Sequence, residues 1–211
     1  MGLRQKFILL AAVAGLIVAI VSGVSYYIAY TDLKESVEQE IQSSVETESQ
    51  ALETWLQAKV SLAQSAANVM SAVDSNFNLA RQNILLSAGN HDGEILTMAA
   101  GNEDGFIMTF ADGDITKLLD PRTRDWYRNA KSSGKIIFTE VYKDAITGKQ
   151  VISIAVPYKN SAGNFRGVIC EDVLLDVLNE RAKNMHYHGE GFGYIVQSDG
   201  KILAASNPEE S

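Results

Sequence analysis

The chemically richest segment of the chain covers residues 120–127 and reads Asp-Pro-Arg-Thr-Arg-Asp-Trp-Tyr. It combines guanidinium groups, carboxylates and aromatic donors, and Tyr142, Asp144 and Asp172 add phenol and carboxylate groups further along. A free amino acid is the complement of such a set. Its carboxylate needs a guanidinium and an indole or phenol donor, and its ammonium needs carboxylate or phenolic acceptors. These residue types predict a binding site for a small zwitterion.

The spacing of these residues indicates which side chains face the same way. In an extended segment, Arg124 and Trp126 share one side, as do Tyr142 and Asp144, because side chains alternate with period two. By the same rule Asp172 shares a face with Cys170. We therefore expect one surface to collect most of the polar groups.

Structural roles would explain the same residues. The alternatives are ion pairing for Arg124, core packing for Trp126 and Tyr127, and turn formation for Asp144. The partner of Arg124 would be one of two neighbouring carboxylates, Asp120 or Asp125. The residues taken alone leave the binding site and these roles both open.

Composition excludes several classes of protein. The chain has 211 residues, 26 of them acidic and 18 basic, and its net charge of −8 leaves no long basic face for nucleic acid. Cys170 is the single cysteine, so no disulfide forms within the chain. No nucleophile, catalytic triad or kinase signature occurs in the context it requires. The sequence predicts a protein that binds its ligand and is not an enzyme.

Residues 7–30 contain no charged side chain and are rich in Ile, Leu, Val and Ala. A helix needs about 20 such residues to cross a bilayer. Arg4 and Lys6 precede the segment and Asp32 and Glu35 follow it, so we expect residues 1–6 in the cytoplasm and the remainder exported, to the periplasm of an inner-membrane protein. A cleaved signal peptide is the alternative, but its apolar core would be shorter and followed by a small-residue cleavage site.

A long helix is predicted to follow the membrane segment. Residues 24–88 contain neither glycine nor proline, and apolar residues recur at threes and fours from Leu33 to Met70. We expect residues 31–88 to form one amphipathic helix. Its apolar stripe must be covered, either by a partner helix in a homodimer or only by the chain's own domain.

Beyond residue 89, turn residues separate short apolar runs, which is typical of a sheet. We expect an α+β fold in which the long helix packs on an antiparallel sheet. Met108 and Phe110 are expected among the walls of the binding site. The predicted elements are strands at residues 106–110, 135–143, 149–158 and 165–172, a helix at 172–183, and a hairpin of 193–197 with 201–205.

His186 and His188 resemble a metal-binding pair, but no third ligand lies at a suitable spacing. We predict neither a metal nor a cofactor.

Several segments together resemble a known family. They are the anchor with its long helix and residues 120–127, 141–144, 151–157 and 167–172, and the resemblance spans nearly the whole chain. The sequence is similar to the double Cache sensor region of bacterial methyl-accepting chemotaxis proteins. The resemblance implies that residues 89–188 form a membrane-distal, PAS-like module that binds the ligand. It also implies that residues 189–211 begin a second, membrane-proximal module.

Within that family, one subset senses amino acids through an arginine two residues before a Trp-Tyr pair and an aspartate at the end of a later strand. The resemblance implies that Arg124 and Trp126 hold the ligand carboxylate and that Tyr127 and Asp172 hold its ammonium. Tyr142 and Asp144 would complete the site.

The chain departs from this subset at one position. A tyrosine usually precedes the Asp-Pro-Arg run, and here that residue is Leu119. The missing hydroxyl favours an alternative ligand, a small organic carboxylate. A membrane-tethered enzyme and a purely structural tether are further alternatives. Cache sensors are also joined to histidine kinases and cyclic-dinucleotide enzymes, so the cytoplasmic signalling partner, reached through a domain that this chain does not contain, is open.

Overall fold

The computed structural model describes residues 2–73, 76–81, 93–185, 191–197 and 199–206. The chain divides into two compact units, residues 1–49 and residues 50–211. The first unit consists of the initial part of helix α1 (Leu3–Ala72). The second unit contains the rest of that helix and all of the sheet.

Helix α1 changes character between the two units. Its charge-free segment, residues 7–30, is exposed throughout, and among the described residues this is the one helix long and apolar enough to cross a membrane. In the second unit the same helix is partly covered. Its buried residues there are Lys59, Ala63, Ala66, Ala67 and Met70.

The structure ends α1 at Ala72, whereas the sequence predicted one helix as far as residue 88. Residues 77–81 are helical again, and residues 82–92 lie outside the described part. Asn76 begins the new helical segment, because its side-chain Oδ1 accepts a hydrogen bond from the Leu79 backbone N–H at 3.1 Å. Side-chain capping of this kind competes with helix continuation, and counting glycine and proline does not detect it.

The second unit is built on an antiparallel sheet with the strand order β3-β2-β1-β7-β6-β4, in which β5 also pairs with β6. The α+β fold class predicted from the sequence is confirmed. The strands are β1 (Ile95–Asn102), β2 (Ile107–Thr109), β3 (Gly113–Asp114), β4 (Ile137–Phe138), β5 (Tyr142–Lys143), β6 (Gln150–Lys159) and β7 (Phe165–Leu174).

The remaining described elements are short. A 3-10 helix (Pro121–Thr123) leads into α2 (Asp125–Ser133), and α3 (Leu175–Asn184) follows β7 directly. The predicted hairpin is present as β8 (Tyr194–Val196) and β9 (Ile202–Ala205), which pair only with each other among the described strands.

Two features of the sheet differ from the prediction. The expected strand at residues 135–143 is split into β4 and β5, because the Thr139 hydroxyl accepts the Ser153 N–H that a continuous strand would bind through its backbone. The central strand β1 was missed. Its Ala-Ala-Gly stretch has low β propensity, and only its pairing with β2 and β7 makes it a strand.

The two faces of the sheet carry separate cores. One face packs under α1 and α3 and includes Met98, Ile154 and Ile169. The other packs under α2 and includes Ala99 and Cys170. Neighbouring positions of one strand therefore enter different cores, as the period of two requires.

This alternation corrects one expectation about the walls of the site. Met108 and Phe110 lie in the core beneath α1, and their neighbours Ile107 and Thr109 face the opposite side. The expectation was wrong by one position, which in a strand exchanges the two faces.

Glycine 101 brings β1 close to the segment before α2. A Cβ built on Gly101 would lie 2.6 Å from the Pro121 Cβ and 3.2 Å from the Trp126 Cη2. Since real Cβ atoms do not approach other carbons so closely, only glycine lets Pro121 and Trp126 sit against the sheet. The backbone of Gly101 thus determines how near α2 lies.

An ion cluster joins α1 to α3. Glu94 accepts hydrogen bonds from the Trp55 indole (2.7 Å) and the Arg181 guanidinium (2.8 Å), and its carboxylate lies 2.8 Å from the Lys59 ammonium. Burial by itself would raise the pKa of Glu94. The hydrogen bonds from Lys59, Trp55 and Arg181 outweigh burial and lower that pKa to about 2.

A second carboxyl group lies in this core without such partners. Glu171 on β7 is fully buried, and neither side-chain oxygen has a hydrogen-bond partner in the described part of the chain. Burial raises the pKa of Glu171 to about 8, although the charge of Lys59 opposes the shift. The group is therefore neutral at pH 7 in the folded protein.

The raised pKa of Glu171 predicts that stability falls between pH 4.5, the ordinary value for a glutamate, and about pH 8. Between the ordinary pKa of a glutamate and about 8, the folded state binds the proton that the unfolded state has lost, so the free energy of unfolding falls as pH rises. Glu171→Gln removes this dependence. Chemical denaturation of the chain in detergent measures the free energy of unfolding at each pH. From pH 5 to pH 8, that free energy should fall on the order of 2 kcal/mol less for the variant than for the wild type.

Glu180→Gln is the matched control, because Glu180 is exposed on α3. Its unfolding free energy should follow the wild type at both pH values. Parallel pH profiles for Glu171→Gln and the wild type would show that Glu171 is ionised in the fold.

Gly101→Ala is expected to lower the free energy of unfolding by about 1 to 3 kcal/mol, because Pro121 and Trp126 must move to admit the methyl group. The melting temperature measures the loss, and the fluorescence of Trp126 in a Trp55→Phe background measures the displacement. Ser161→Ala, in the exposed turn between β6 and β7, is the control. An unchanged melting temperature with Gly101→Ala would contradict the close packing of this segment.

Candidate functional site

A cavity lies in the second unit on the face of the sheet opposite α1. We call it the sheet cavity. Five of the six residues predicted as a ligand site line it: Arg124, Trp126, Tyr142, Asp144 and Asp172. The other lining residues are Thr97, Ala99, Ile107, Thr109, Ile115, Leu119, Ala145, Ile146 and Cys170.

The floor of the sheet cavity is made by two cross-strand rows. Thr97 of β1, Asp172 of β7 and Ser153 of β6 are register partners and form the polar row. The next row contains Ala99, Cys170 and Ala155, again in register. The small side chains of this second row keep the floor low, and the polar row provides a carboxyl group beside it.

Asp172 is held by three hydrogen bonds to a single oxygen. Its Oδ1 accepts from the Ser153 hydroxyl, from the Tyr142 phenol at 3.1 Å and from the Cys170 thiol at 3.3 Å. Its Oδ2 accepts no hydrogen bond from the residues that the structure describes. Three groups therefore orient the carboxyl group and leave one oxygen for a ligand.

The protonation of Asp172 depends on opposing effects. Burial raises the pKa of this carboxyl above its ordinary value, the hydrogen bonds from Ser153 and Cys170 lower it, and the charge of Asp144 raises it. Burial also raises the pKa of the Tyr142 phenol, so this group remains a donor across the physiological range. A cationic ligand beside Asp172 would favour its ionised form.

Arg124 has no ion pair or side-chain hydrogen bond within the described part of the chain. The two neighbouring carboxylates are engaged elsewhere, since Asp120 binds Arg122 at 2.8 Å and Asp125 binds Arg128. The structural alternative for Arg124, pairing with Asp120 or Asp125, is thus not found. Its guanidinium is half-buried at the edge of the sheet cavity and available to an anion.

The spacing argument assumed an extended segment around Arg124, but the structure forms helices on both sides of this residue. The Asp120 Oδ1 accepts the Arg122 N–H at 3.0 Å, which starts the 3-10 helix, and Arg124 is the residue before α2. Trp126 lies in the first turn of α2. Arg124 and Trp126 nevertheless both line the cavity, because the turn directs both toward the sheet.

Tyr127 does not line the sheet cavity. Its side chain is buried next to Trp126, and its hydroxyl donates a hydrogen bond to Glu103 Oε1 at 2.8 Å. Glu103 also binds the Lys131 ammonium at 2.7 Å. In this arrangement Tyr127 anchors α2 to the end of β1.

Asp144 both forms a turn and lines the cavity, which the sequence had left as alternatives. Its Oδ1 accepts hydrogen bonds from the backbone N–H (2.7 Å) and hydroxyl (2.6 Å) of Thr147, so it forms the turn between β5 and β6. It also lines the sheet cavity. A carboxylate in a turn thus contributes charge to the cavity.

Sequence reasoning missed Ser153, Cys170 and Thr97 as members of the site. Ser153 and Cys170 lie in apolar strand runs and carried no separate signal, although their period-two relation to Asp172 was available for Cys170. Thr97 lies in the strand that was missed. Each becomes part of the site only through the pairing of β1, β6 and β7.

The arrangement separates opposite charges across one cavity. Arg124 and the Trp126 indole provide donors for a carboxylate, and Asp172, Tyr142 and Asp144 provide acceptors for an ammonium. The volume open to the centres of water molecules in the cavity is about 30 Å³, so its walls lie close together.

Comparison with known proteins identifies the family. The model of the Cache domain matches residues 28–211. The methyl-accepting chemotaxis protein PscA of Pseudomonas syringae pv. tomato is 30% identical over 209 residues, which cover 96% of this chain and 32% of PscA. TlpB of Bacillus subtilis, another methyl-accepting chemotaxis protein, is 28% identical over 189 residues, or 86% of this chain and 28% of TlpB. The chain spans about a third of the length of these relatives or less.

Solved structures give the same result for the fold. The ligand-binding domain of the Pseudomonas fluorescens chemoreceptor CtaA in complex with L-serine matches with a TM-score of 0.61 and 28% identity, covering 78% of this chain and 69% of that chain. The ligand-binding domain of Mlp24 with asparagine matches with a TM-score of 0.64 and 30% identity, covering 84% of this chain and 75% of that chain. By the match of its sequence over residues 28–211, the chain belongs to the Cache-domain family.

Proposed function

We propose that this chain is the sensor region of a transmembrane chemoreceptor and that the sheet cavity binds a free amino acid. The observation that carries the proposal is that Arg124 and Asp172 line one cavity and that, within the described part of the chain, the Arg124 guanidinium has no ion pair and the Asp172 Oδ2 no hydrogen bond. The relatives support it, since they are methyl-accepting chemotaxis proteins and similar domains have been solved with L-serine and asparagine.

In this proposal the ligand carboxylate binds Arg124 and the Trp126 indole, and the ligand ammonium binds Asp172, with Tyr142 and Asp144 beside it. Tyr127 acts through Trp126, its neighbour in α2. Each charge-assisted hydrogen bond contributes about 1.5 to 3 kcal/mol, so a few of them offset the desolvation of two ligand charges.

Residues 7–30 would anchor the receptor in the inner membrane. Arg4 and Lys6 favour a cytoplasmic N-terminus, and the second unit would then lie in the periplasm. Residues 93–185 would then belong to the membrane-distal module, and the β8–β9 hairpin would open the membrane-proximal one. His186 and His188 lie outside the described residues.

A homodimer is part of the proposal. In the first unit Leu33, Ile41 and Val45 are exposed although they are apolar and lie at helical spacing. A second copy of α1 would cover this stripe. The covered residues of the same helix, such as Ala63 and Met70, lie in the second unit and pack on the chain's own sheet.

Signalling would follow from a difference in affinity. A ligand that binds both Arg124 and Asp172 would stabilise the arrangement of α2 on the sheet in which both side chains reach it, and only such differential affinity shifts the equilibrium between two arrangements. Control of a cytoplasmic kinase or another output enzyme would use this shift.

A small organic carboxylate is the second candidate ligand. Leu119 lines the sheet cavity, so no hydroxyl is provided at the position where the amino-acid-sensing subset has a tyrosine. Such a ligand has no ammonium and would leave the Oδ2 of Asp172 without a ligand partner.

Arg124→Ala and Asp172→Asn are each expected to weaken amino-acid binding by about 10- to 100-fold, since each removes a charge-assisted contact. Titration calorimetry of the full chain in lipid nanodiscs, against a panel of amino acids and organic acids, measures the loss. Arg128→Ala and Asp176→Asn are matched controls, because both residues are exposed and outside the cavity.

The two candidate ligands give different results in that experiment. Binding of amino acids that fails with Asp172→Asn supports the amino-acid receptor. Binding of organic acids alone, unchanged by Asp172→Asn, supports the carboxylate sensor. Equal losses with the exposed controls would contradict a site in the sheet cavity.

Amino-acid affinity should also depend on pH. Because burial raises the pKa of Asp172, this carboxyl is protonated at pH values below the raised pKa, where it cannot balance an ammonium. The affinity should rise with pH through that pKa and then level off, and binding should release a proton only below it. Calorimetry from about pH 4 upward measures the profile, and Asp172→Asn should flatten it. A profile unchanged by Asp172→Asn would assign the pH dependence to another group.

A further inference from the structure

The Thr97 hydroxyl is a polar group that the proposed ligand contacts do not use. Thr97 lines the sheet cavity, and its Oγ1 is buried with no hydrogen-bond partner in the described part of the chain. A buried hydroxyl without a partner destabilises the fold, because it has lost its water and gained nothing. Its presence at the cavity wall needs an explanation.

Strand register directs Thr97 into the cavity. Thr97 pairs with Asp172 and Ala99 pairs with Cys170 in one continuous register, so these two residues of β1 face the same side, as the period of two requires. The register shifts only on the other side of Thr97, toward Ile95, which pairs with Val173. The Thr97 hydroxyl therefore stands beside Asp172, at the proposed ammonium site.

The other hydroxyls near the cavity are already used. Thr109 donates to Asp112 at 3.1 Å and accepts the Asp112 backbone N–H at 2.8 Å. Ser153 binds Asp172, and Tyr142 binds both. Among the hydroxyls of the described lining residues, Thr97 alone remains for a ligand.

The wall around Thr97 is mostly apolar. Once the two charged ends of a ligand are assigned, the remaining lining includes Ala99, Ile107, Thr109, Ile115 and Leu119. The Thr109 hydroxyl is already bonded to Asp112. This part of the cavity would receive the ligand side chain, and the Thr97 hydroxyl is the group there that would gain a hydrogen bond.

Building on the proposed function, we infer that Thr97 selects the ligand by its side chain. The site prefers an amino acid whose side chain carries a hydroxyl or carboxamide over the aliphatic amino acid of the same shape. An apolar side chain would leave Thr97 buried and unpaired, whereas a polar one completes its hydrogen bond. Sites that hydrogen-bond a ligand group discriminate strongly against the analogue that lacks it.

Two nearly isosteric ligand pairs test this inference: L-threonine with L-valine, and L-asparagine with L-leucine. Calorimetry on the full chain in nanodiscs should show the polar member binding at least about tenfold more tightly. Thr97→Val, which keeps the shape and removes the hydroxyl, should abolish that preference and leave valine binding unchanged or tighter. Thr97→Ser, which keeps the hydroxyl, should retain the preference.

Three results would overturn the inference. If the wild-type protein binds valine and leucine as tightly as threonine and asparagine, the proposed selectivity is absent, although the proposed amino-acid binding is supported. If Thr97→Val lowers the affinity for all four ligands by the same factor, Thr97 contacts the ammonium group that all four share and does not select the side chain. Absence of binding by any amino acid would remove the proposed function, and this inference with it. If Thr97→Val does not fold, the wild-type pairs and Thr97→Ser still decide.

Discussion

Strand β7 is paired on both edges and buried on both faces, and both layers of the second unit depend on its register. Ile169 enters the core beneath α1, and Val168 and Cys170 enter the core beneath α2. A shift of one residue would exchange these sets and bury Asp172 under α1. The hydrogen-bond ladders to β1 and β6 prevent that shift. One register thus determines the core and the polarity of the sheet cavity together.

The same alternation places two buried carboxyl groups back to back. Asp172 faces the sheet cavity and Glu171 faces the core that α1 covers, one peptide unit apart. Asp172 is oriented by three donors to one of its oxygens, whereas Glu171 has no hydrogen-bond partner among the described residues and stays neutral. A displacement of β7 by a ligand would reach both layers, because a strand backbone moves its two faces as one unit. The fold therefore offers a contiguous path from the cavity to the helix, which is a physical precondition for coupling.

Local charge pairing decides which cation is left for a ligand. Within nine residues, Asp120 binds Arg122 and Asp125 binds Arg128, and Arg124 between them receives no carboxylate from the described part of the chain. The 3-10 helix produces this result, because its cap brings Arg122 back onto Asp120. The glycine at position 101 then lets the segment lie against the sheet, so the unpaired guanidinium is at the edge of the sheet cavity.

The sequence by itself determined the elements whose signals are local. The charge-free stretch of residues 7–30, the strands β6 and β7, and the grouping of Arg124, Trp126, Tyr142, Asp144 and Asp172 follow from composition, period and resemblance to a family. Tertiary structure alone decided what depends on pairing between distant segments: that β1 is a strand, that Thr139 divides β4 from β5, and that Tyr127 turns to Glu103. It also decided that Thr97 and Ser153 stand beside Asp172. Periodicity indicates which face of its own strand or helix a residue occupies. It does not indicate which residues of different strands meet, because that depends on a register that hydrogen bonds between strands establish only in the folded chain.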